Sequence, residues 1–509
     1  MGMPQDSDPQ RNGELLIDLL DMESDSPAIV CPDDDSAVSY QQLAETATRI
    51  AGLLRSVGVE RGSRVALVLA NGPEIVEMVL AITLLGAAAA PLNPAYTASE
   101  YAFYLGDLDP ELLLVPAGEY PNVRQGAASS VRAVDVELLA DGPPRLHLAG
   151  SEIRKQASFE PAEADDVALL LHTSGTTSRP KQVPLRQRNL AYSARSIAAG
   201  YGLTGADSSY CAMPLFHVHG LVASTLATLA SGGTVIIPRR YTSHGFWTQA
   251  AKHSATWFSA GPTTHQMALN AREDHAAPDT LRFVRSCSSA LSPTLLAEAE
   301  DAYRAPVLEA YGMTEASHQM ASNPLPPRAH VPGSVGISAG AELRIVGPAG
   351  RDVPTGEPGE VAVRGPGITS GYLNNPTANA EAFVDGWFRT GDRGLLADGY
   401  LYLQGRLKEM ILRGGENISP YEIEEVLLSH PAVADAACFG VEDPKYGEVV
   451  GAAVALAADA EPSDIADHCR EHLAAFKVPT VIHVLDSIPR TPTGKVPRKQ
   501  IATMVAGDP

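Results

Sequence analysis

The chain has 509 residues, too many for one hydrophobic core, so at least two domains are expected. Its 45% hydrophobic and 19% charged residues are typical of a soluble globular protein and exclude a disordered one. The net charge of −22 excludes a general nucleic-acid binder, which needs a basic surface. Any anionic ligand must therefore be bound by a local group of donors.

The cysteine spacing and the apolar runs indicate the compartment in which the protein is expected to occur. The five cysteines are widely spaced and form no CxxC pair, so the sequence predicts neither a zinc site nor a disulfide scaffold. The longest apolar run, at about 78–90, is short for a membrane span, and we interpret it as a buried helix. We expect a cytoplasmic protein, monomeric or homodimeric, without a membrane or nucleic-acid partner.

The first part of the chain alternates between two hydrophobic periods. Residues 1–13 form a polar tail. A helix-period stretch at 41–58 is followed by short β-rich runs, which read RVALVLA, LLLVPA, VALLLHT and TVIIP. This alternation predicts a parallel sheet flanked by helices.

The sequence pattern changes around residues 331–405. Short strands (AELRIV, GEVAVRG, YLYLQG) are separated by Gly and Pro turns, which predicts a small β-barrel or antiparallel subdomain. Helix and strand patterns resume after a Gly-rich charged stretch, so we place a domain boundary near Lys408. The predicted fold is α/β: a large N-terminal domain over 14–407, with αβ-layered subdomains and the small barrel, and an α+β C-terminal domain over 408–509.

The segment LLLHTSGTTSRPKQVPL, residues 169–185, suggests an anion site. A predicted strand leads into a tight loop, where Gly175 lets successive N–H groups converge on one anion. The hydroxyls of the loop add donors, and Lys181 adds positive charge; those hydroxyls belong to Thr173, Ser174, Thr176 and Thr177. Phosphate is the expected ligand of this loop, although the loop lacks the Walker pattern. An ordinary polar loop has a similar composition.

Three further motifs give this loop a context. EAYGMTEA (309–316) places Tyr311 and Glu315 around a Gly turn, WFRTGD ends in Asp392, and IPRTPTGKVPRK sets Lys495 in a Gly-containing turn. In this order and at these separations, the motifs resemble the adenylate-forming superfamily of acyl-CoA synthetases, adenylation domains and luciferases. The resemblance runs from about residue 38 to 503.

The resemblance implies an ATP site. The 173–181 loop would hold the β- and γ-phosphates, Tyr311 would stack on adenine, Glu315 would ligate Mg²⁺ and Asp392 would bind the ribose hydroxyls. The implied nucleotide site comprises Thr173, Ser174, Gly175, Thr176, Thr177, Lys181, Ser289, Ala290, Tyr311, Gly312, Thr314, Asp392, Arg406 and Lys495. The alternatives are that Glu315 is an ordinary solvated Glu at a helix start, which the YGMTE context disfavours, and that Asp392 caps a turn.

The resemblance also implies two steps and two poses. Lys495 would bridge the acid and the ATP α-phosphate, with Thr176 and Glu315 as further catalytic residues. The C-terminal domain would then swing about Lys408, withdraw Lys495 and bring Gly414 and Gly415 to the CoA pantetheine. The alternatives from residue type alone are that Lys495 is an ordinary surface lysine, and that Gly414 and Gly415 form an ordinary turn.

The acid is indicated by RSCSSALSP, MTEASHQMASNPLP and HVPGSVG, which look like the oxalate–CoA ligases of plants and fungi. A dicarboxylate needs donors for its second carboxylate, and Ser289 and His318, with His219 or His217, would supply them. A fatty-acid pocket would instead be apolar. His318 is also compatible with a supporting structural role.

Two residues depart from the superfamily pattern, and several functions remain open. Ser178 and Gln182 replace glycines; if position 182 needs a positive φ, Gln would cost about 1 kcal/mol and weaken ATP binding. We predict an ATP-, Mg²⁺- and CoA-dependent ligase for oxalate. The alternatives are a ligase for another short, medium-chain or fatty acid, an enzyme loading a carrier protein, a luciferase-type oxidase, and a silent nucleotide-binding relic.

Overall fold

The computed structural model describes residues 13–139, 142–173, 180–272, 275–414, 416–491 and 495–506. The predicted site residues Ser174, Gly175, Thr176 and Thr177 lie outside these ranges, as do Ser178 and Gly415. Within the described ranges, we find no helix with the length and apolar character that a membrane span requires.

Thirteen α-helices occur in the described residues. In chain order they are α1 (Tyr40–Ser56), α2 (Pro73–Leu84), α3 (Ala98–Leu108), α4 (Pro121–Gly126), α5 (Gln187–Gly200), α6 (Ala227–Leu229), α7 (Ser243–Lys252), α8 (Pro262–Asn270), α9 (Pro293–Tyr303), α10 (Pro376–Ala382), α11 (Pro420–Leu428), α12 (Pro462–His472) and α13 (Arg498–Ala506). A π-helical segment, His219–Leu226, precedes α6. Helix α1, predicted at 41–58, begins where Ser39 and Gln42 form a reciprocal capping box.

The described residues also form 27 strands, which belong to four sheets. The first seventeen are β1 (Pro27–Cys31), β2 (Ser36–Ser39), β3 (Arg64–Leu67), β4 (Ala88–Pro91), β5 (Leu112–Pro116), β6 (Arg132–Glu137), β7 (Arg145–Leu148), β8 (Ser151–Glu152), β9 (Val167–Thr173), β10 (Lys181–Arg186), β11 (Ser208–Tyr210), β12 (Thr234–Ile236), β13 (Trp257–Ala260), β14 (Phe283–Ser286), β15 (Val307–Met313), β16 (His318–Ser322) and β17 (Ile337–Ser338). The remainder are β18 (Glu342–Val346), β19 (Gly359–Arg364), β20 (Phe383–Val384), β21 (Trp387–Ala397), β22 (Tyr400–Arg406), β23 (Ile411–Arg413), β24 (Glu416–Ile418), β25 (Val433–Asp443), β26 (Gly447–Leu456) and β27 (Val481–Leu485).

The N-terminal part contains two mainly parallel sheets, where the alternating pattern predicted one. The larger has the order β17-β16-β15-β14-β13-β11-β12-β1-β2, and the smaller β10-β9-β4-β3-β5-β6-β7-β8. Helices α1 and α2 pack against each other, and their apolar side chains share one core with strands of both sheets. Local periodicity found the strands but could not assign them to separate sheets, because strand pairing is a long-range property.

The apolar run at 78–90 is only partly a helix, so this prediction was wrong for its second half. Helix α2 ends at Leu84, and Gly86 turns the chain with a φ of +67°. The alanines that follow form β4, which lies between β3 and β9 and is buried. An Ala-rich run suits this crowded central position because its side chains are small.

The predicted antiparallel region forms a five-stranded sheet in which β21 pairs with β19, β20 and β22. The chain leaves this sheet at Arg406, passes through a 3-10 turn at Leu407–Glu409, and enters a separate sheet of β23 to β27 at Ile411. That last sheet packs with α11 and α12 around its own apolar core. The architecture confirms the predicted α/β class, with a large N-terminal part and a smaller C-terminal one.

Contacts hold the C-terminal part beside β22. Arg498 forms an ion pair with Glu409 at 3.0 Å and binds both carboxylate oxygens of Glu424, at 2.9 and 2.7 Å. The ring of Tyr421 lies against Gly405, where a Cβ atom would approach it to 2.9 Å. This pose determines which C-terminal residues face the cleft.

Candidate active site

The two ends of the predicted phosphate loop are neighbours in a β-hairpin. Thr173, the last residue of β9, pairs with Lys181, the first residue of β10. The Lys181 ammonium lies 4.4 Å from the ring centroid of Tyr372, a cation–π contact. The two residues that flank the predicted loop are therefore adjacent, and Lys181 lies against Tyr372.

Gln182 does not have the positive φ that would make it strained, so the expected cost is absent. It lies within β10 opposite His172, and its amide donates to the backbone and side-chain oxygens of Asp107, both at 2.6 Å. His172 Nε2 lies 2.9 Å from the same carboxylate. Asp107 of α3 thus ties together the two strands at the base of the loop.

Glu315 is buried, not solvated at a helix start. It lies in a 3-10 turn, Thr314–Ala316, and its Oε1 accepts a 2.9 Å hydrogen bond from the Tyr372 hydroxyl. Because Tyr372 also contacts Lys181, the loop base and this carboxylate are linked through one aromatic ring. Gly312 lies inside strand β15, so the expected Gly turn between Tyr311 and Glu315 was wrong.

Asp392 connects two of the predicted nucleotide residues. The Tyr311 hydroxyl donates to its Oδ2, and Arg406 Nε lies 3.1 Å from its Oδ1. Asp392 is a buried residue in the middle of β21, opposite Arg406 of β22, so the turn-cap interpretation was wrong. Burial and the Asp392 charge raise the pKa of Tyr311 well above its usual value, which keeps the hydroxyl a donor.

Lys495 faces this group. Its backbone N–H donates to Thr491 Oγ1 at 3.1 Å. Surrounding protein and the Arg406 charge lower the pKa of the Lys495 ammonium, while Glu315 and Asp392 act in the opposite direction. Burial and the Lys495 charge together lower the pKa of His217 to about 4. The C-terminal part therefore presents Lys495 towards both the nucleotide residues and His217.

Two predicted acid-binding histidines lie side by side. The ring centroids of His219 and His318 are 5.0 Å apart, and His219 bonds Ser259 Oγ at 2.7 Å and Ser288 Oγ at 3.0 Å. His318 has a φ of +103°, a left-handed conformation rare outside glycine and typical of functional sites. Burial, followed by the charge of Arg285, lowers both pKa values far below the usual range, so both rings are neutral.

Arg285 is a central residue that sequence analysis missed. It lies on β14 with no solvent exposure. Its guanidinium donates to neutral groups only: Tyr201 OH at 2.9 Å, Ser259 Oγ at 3.0 Å, His318 Nδ1 at 3.3 Å and Gln319 Oε1 at 3.2 Å. The available signal was a charged residue inside the apolar run FVRSC.

The remaining predicted residues are more exposed. Ser289 and Ala290 lie on the surface of the loop after β14, and it is Ser288, with a φ of +81°, that contacts His219. Lys408 is exposed in the 3-10 turn between the two sheets. Gly414 lies in the turn after β23, where its N–H donates to the carbonyl of Tyr446 at 2.8 Å.

The chain that carries this buried carboxylate, the facing lysine and the neutral histidine pair is similar to known proteins. Residues 20–373 match the family model described as AMP-binding enzyme, and residues 422–495 match AMP-binding enzyme C-terminal domain. The chain belongs to the AMP-binding enzyme family. The resemblance to the adenylate-forming superfamily is thereby confirmed.

This AMP-binding enzyme is 45% identical to an oxalate–CoA ligase of Arabidopsis thaliana, over 91% of this chain and 93% of the relative. It is 39% identical to an oxalate–CoA ligase of Saccharomyces cerevisiae, over 95% of each. It resembles o-succinylbenzoate coenzyme A synthetase from Bacillus subtilis in complex with ATP and magnesium ion, with a TM-score of 0.84 and 32% identity over 95% of this chain and 98% of the other. The protein is an AMP-forming acid–CoA ligase, and its substrates are a small carboxylic acid, ATP and CoA.

Proposed function

We propose that this ligase acts on oxalate, forming oxalyl-adenylate and pyrophosphate before the CoA thiol displaces AMP. The observation that carries the proposal is the cluster of polar side chains around His219 and His318, which is backed by the buried cation Arg285. The names of the plant and yeast relatives support the same acid.

The pocket chemistry disfavours an acid with an apolar tail. Such a tail would leave the Nε2 donor of His318 without an acceptor, and an unpaired buried polar group costs about 1–3 kcal/mol. The second carboxylate of oxalate provides an oxygen for this donor. A site built from polar groups in this way rejects analogues that lack the matching group.

In the adenylation step, an oxygen of the first carboxylate attacks the α-phosphorus of ATP, and the bond to the pyrophosphate oxygen breaks. Lys495 would neutralise charge between the two anions, because its ammonium already faces Asp392 and Glu315. Asp392 would hold the ribose hydroxyls. Tyr311 and Arg406 engage one oxygen each, and a carboxylate has about four acceptor positions, so capacity for the ribose remains.

The residues present fit Mg²⁺ held with the nucleotide. Glu315 Oε1 accepts from Tyr372, which orients the carboxylate and leaves Oε2 for a cation. In the described ranges, the group of three or more residues suited to hold a metal ion is His468, Glu471 and His472 on α12, so Glu315 does not belong to an all-protein cage. One carboxylate plus phosphate oxygens is the arrangement that Mg²⁺ commonly uses, and the ion would offset phosphate charge.

For the second step, we propose rotation of the C-terminal part about Lys408. The exposed 3-10 turn Leu407–Glu409 is the short connection between the two sheets. Rotation there would remove Lys495 from the acyl-adenylate and bring Gly414 and Gly415 towards the CoA pantetheine. The Arg498–Glu409 ion pair lies next to this turn and would change its surroundings during the rotation.

Pyrophosphate release across a panel of acids, with and without CoA, tests the proposal. We expect the highest kcat/KM with oxalate and formation of oxalyl-CoA when CoA is present. Rapid turnover of hexanoate or acetate with no turnover of oxalate would contradict it. Adenylation of oxalate without thioester formation on CoA would favour a carrier-loading enzyme instead.

A further inference from the structure

We propose that Arg285 is the positioning residue that turns the acid pocket into a donor-only site, and so selects acids that carry a second anionic group. The inference rests on the proposed function, because it assumes that the acid binds beside His219 and His318. It adds a source of selectivity that neither histidine can provide alone.

The first observation is a buried cation without a counter-ion. Arg285 is fully buried, and among the described residues no carboxylate pairs with its guanidinium. An isolated charge in a protein interior is unfavourable unless something compensates it. The positive charge of Arg285 is therefore available to an anion that enters the pocket.

The second observation is the direction of the hydrogen bond to His318. A guanidinium can only donate, so His318 Nδ1 must accept from it, and the ring proton of this neutral histidine resides on Nε2. His318 Nε2 has no hydrogen-bond partner among the described residues. It is also not one of the described polar atoms that are both unpaired and shielded from solvent. Arg285 thus makes His318 present an accessible N–H donor.

A second chain of hydrogen bonds runs from Arg285 through Ser259 to His219. Ser259 Oγ accepts from Arg285, and in the proposed arrangement its own proton is donated to His219 Nε2, 2.7 Å away. In this arrangement His219 carries its proton on Nδ1 and donates to Ser288 Oγ at 3.0 Å. The Ser288 hydroxyl proton can then be donated to a further acceptor. Both chains therefore begin at the same cation and end in donors.

Gln319 is a further polar partner of Arg285. Its Oε1 accepts from Arg285, which fixes the orientation of the amide, and its Nε2 is buried without a partner. A buried amide N–H₂ without an acceptor is rare. It adds a positive dipole end to the surroundings of Arg285 and His318.

The matched test compares Arg285→Gln with wild-type enzyme, using oxalate and acetate as the two acids. We expect kcat/KM for oxalate to fall by about 10- to 100-fold in Arg285→Gln, mainly through KM, with KM for ATP unchanged. The ratio of kcat/KM for oxalate to kcat/KM for acetate should fall as well. Arg285→Lys, which retains the charge, keeps a higher ratio than Arg285→Gln.

The pH profile separates positioning from a merely structural role. Burial is the main cause of the low pKa values of His219 and His318, and the Arg285 charge lowers both further, so its removal raises both pKa values in part. In Arg285→Gln, the loss in kcat/KM for oxalate relative to wild type should therefore be smaller at pH 6 than at pH 8, since histidine protonation partly replaces the lost charge. If the oxalate-to-acetate ratio and the pH profile of Arg285→Gln both equal those of wild type, the inference is overturned.

Controls keep the outcomes distinct. Arg282→Gln removes a neighbouring arginine that pairs with Asp207, away from the histidines, and should leave the acid ratio unchanged. If Arg285→Gln does not fold, Ser259→Ala interrupts the His219 branch alone, and we expect a smaller loss of oxalate preference; no loss overturns the inference. Wild-type turnover of malonate but not oxalate would overturn the oxalate proposal alone. Wild-type turnover of oxalate, with an unchanged ratio in folded Arg285→Gln, would overturn this inference alone.

Discussion

The carbonyl oxygen of His318 lies so close to Gly312 that a Cβ atom on Gly312 would meet it at 2.1 Å. Gly312 follows Tyr311 on β15, and His318 begins the neighbouring strand β16. The strands that carry the proposed nucleotide residue Tyr311 and the proposed acid-binding residue His318 are therefore in direct backbone contact. Only a residue without a side chain allows this approach.

Gly312→Ala should damage the acid site more than the rest of the fold. The added methyl group must displace backbone, which typically costs about 1–3 kcal/mol and would shift His318. We expect a lower melting temperature and at least a ~10-fold loss in kcat/KM for the acid. Gly106→Ala in α3, where a Cβ meets nothing within 4 Å, is the matched control and should leave activity unchanged. Wild-type acid kinetics in Gly312→Ala would show that the contact has no functional role.

His318→Ala should separate acid binding from ATP binding. In the proposed site the ring would donate to the acid, and it contacts none of Tyr311, Asp392 or Arg406 through a hydrogen bond in the described structure. We expect KM for oxalate to rise at least ~10-fold, with KM for ATP within a factor of about two. Steady-state kinetics with each substrate varied in turn measure both. The exposed His244 of α7 provides the control His244→Ala; unchanged oxalate kinetics in His318→Ala would contradict the assignment.

Lys495→Ala should abolish the first half-reaction and spare the second. In the proposed mechanism the ammonium neutralises charge during adenylation, so its loss should reduce pyrophosphate release at least ~100-fold. Conversion of supplied acyl-AMP to acyl-CoA should continue, because the proposed rotation would remove Lys495 from the site. Lys499→Ala, at an exposed lysine on α13, is the control. Equal loss of both half-reactions would refute the two-pose mechanism.

Glu77→Gln should stabilise the protein in a pH-dependent manner. Burial and the nearby Glu74 raise the pKa of Glu77 to about 7, and its Oε2 has no partner. Between an unfolded pKa of 4.5 and this value, the folded state retains a proton that the unfolded state releases, so wild-type stability falls as pH rises. The variant's advantage should grow from pH 5 to pH 7 and level off above it, at no more than about 3 kcal/mol.

Melting temperatures of both proteins from pH 5 to pH 8 measure this difference. Glu298→Gln, at an exposed position of α9, should show no comparable pH trend. A Glu77→Gln advantage that is constant or shrinks towards pH 8 would contradict the raised pKa.

Local patterns predicted local structure well. The run VALLLHT coincides with β9, and the helix predicted at 41–58 is α1 over Tyr40–Ser56. The errors arose where long-range packing decides. The apolar run at 78–90 divides into α2 and β4 because a buried strand position and a buried helix have the same composition.

The site shows the same division between local and long-range information. Motifs placed Tyr311, Asp392, Arg406 and Lys495 on the nucleotide side, and the structure brings them together. They could not identify Arg285, because its importance comes from four partners distant in sequence. Nor could they distinguish Ser288 from Ser289, since that depends on the positive φ of Ser288.

A crystal structure of the full-length enzyme with ATP and oxalate tests the central claim most directly, namely that a donor-lined acid pocket adjoins the nucleotide site. We expect the ribose hydroxyls on Asp392, the reacting carboxylate between Lys495 and the α-phosphorus, and the second carboxylate within hydrogen-bond distance of His318 Nε2. A nucleotide bound away from Asp392, or a second carboxylate directed away from His318, would contradict the account.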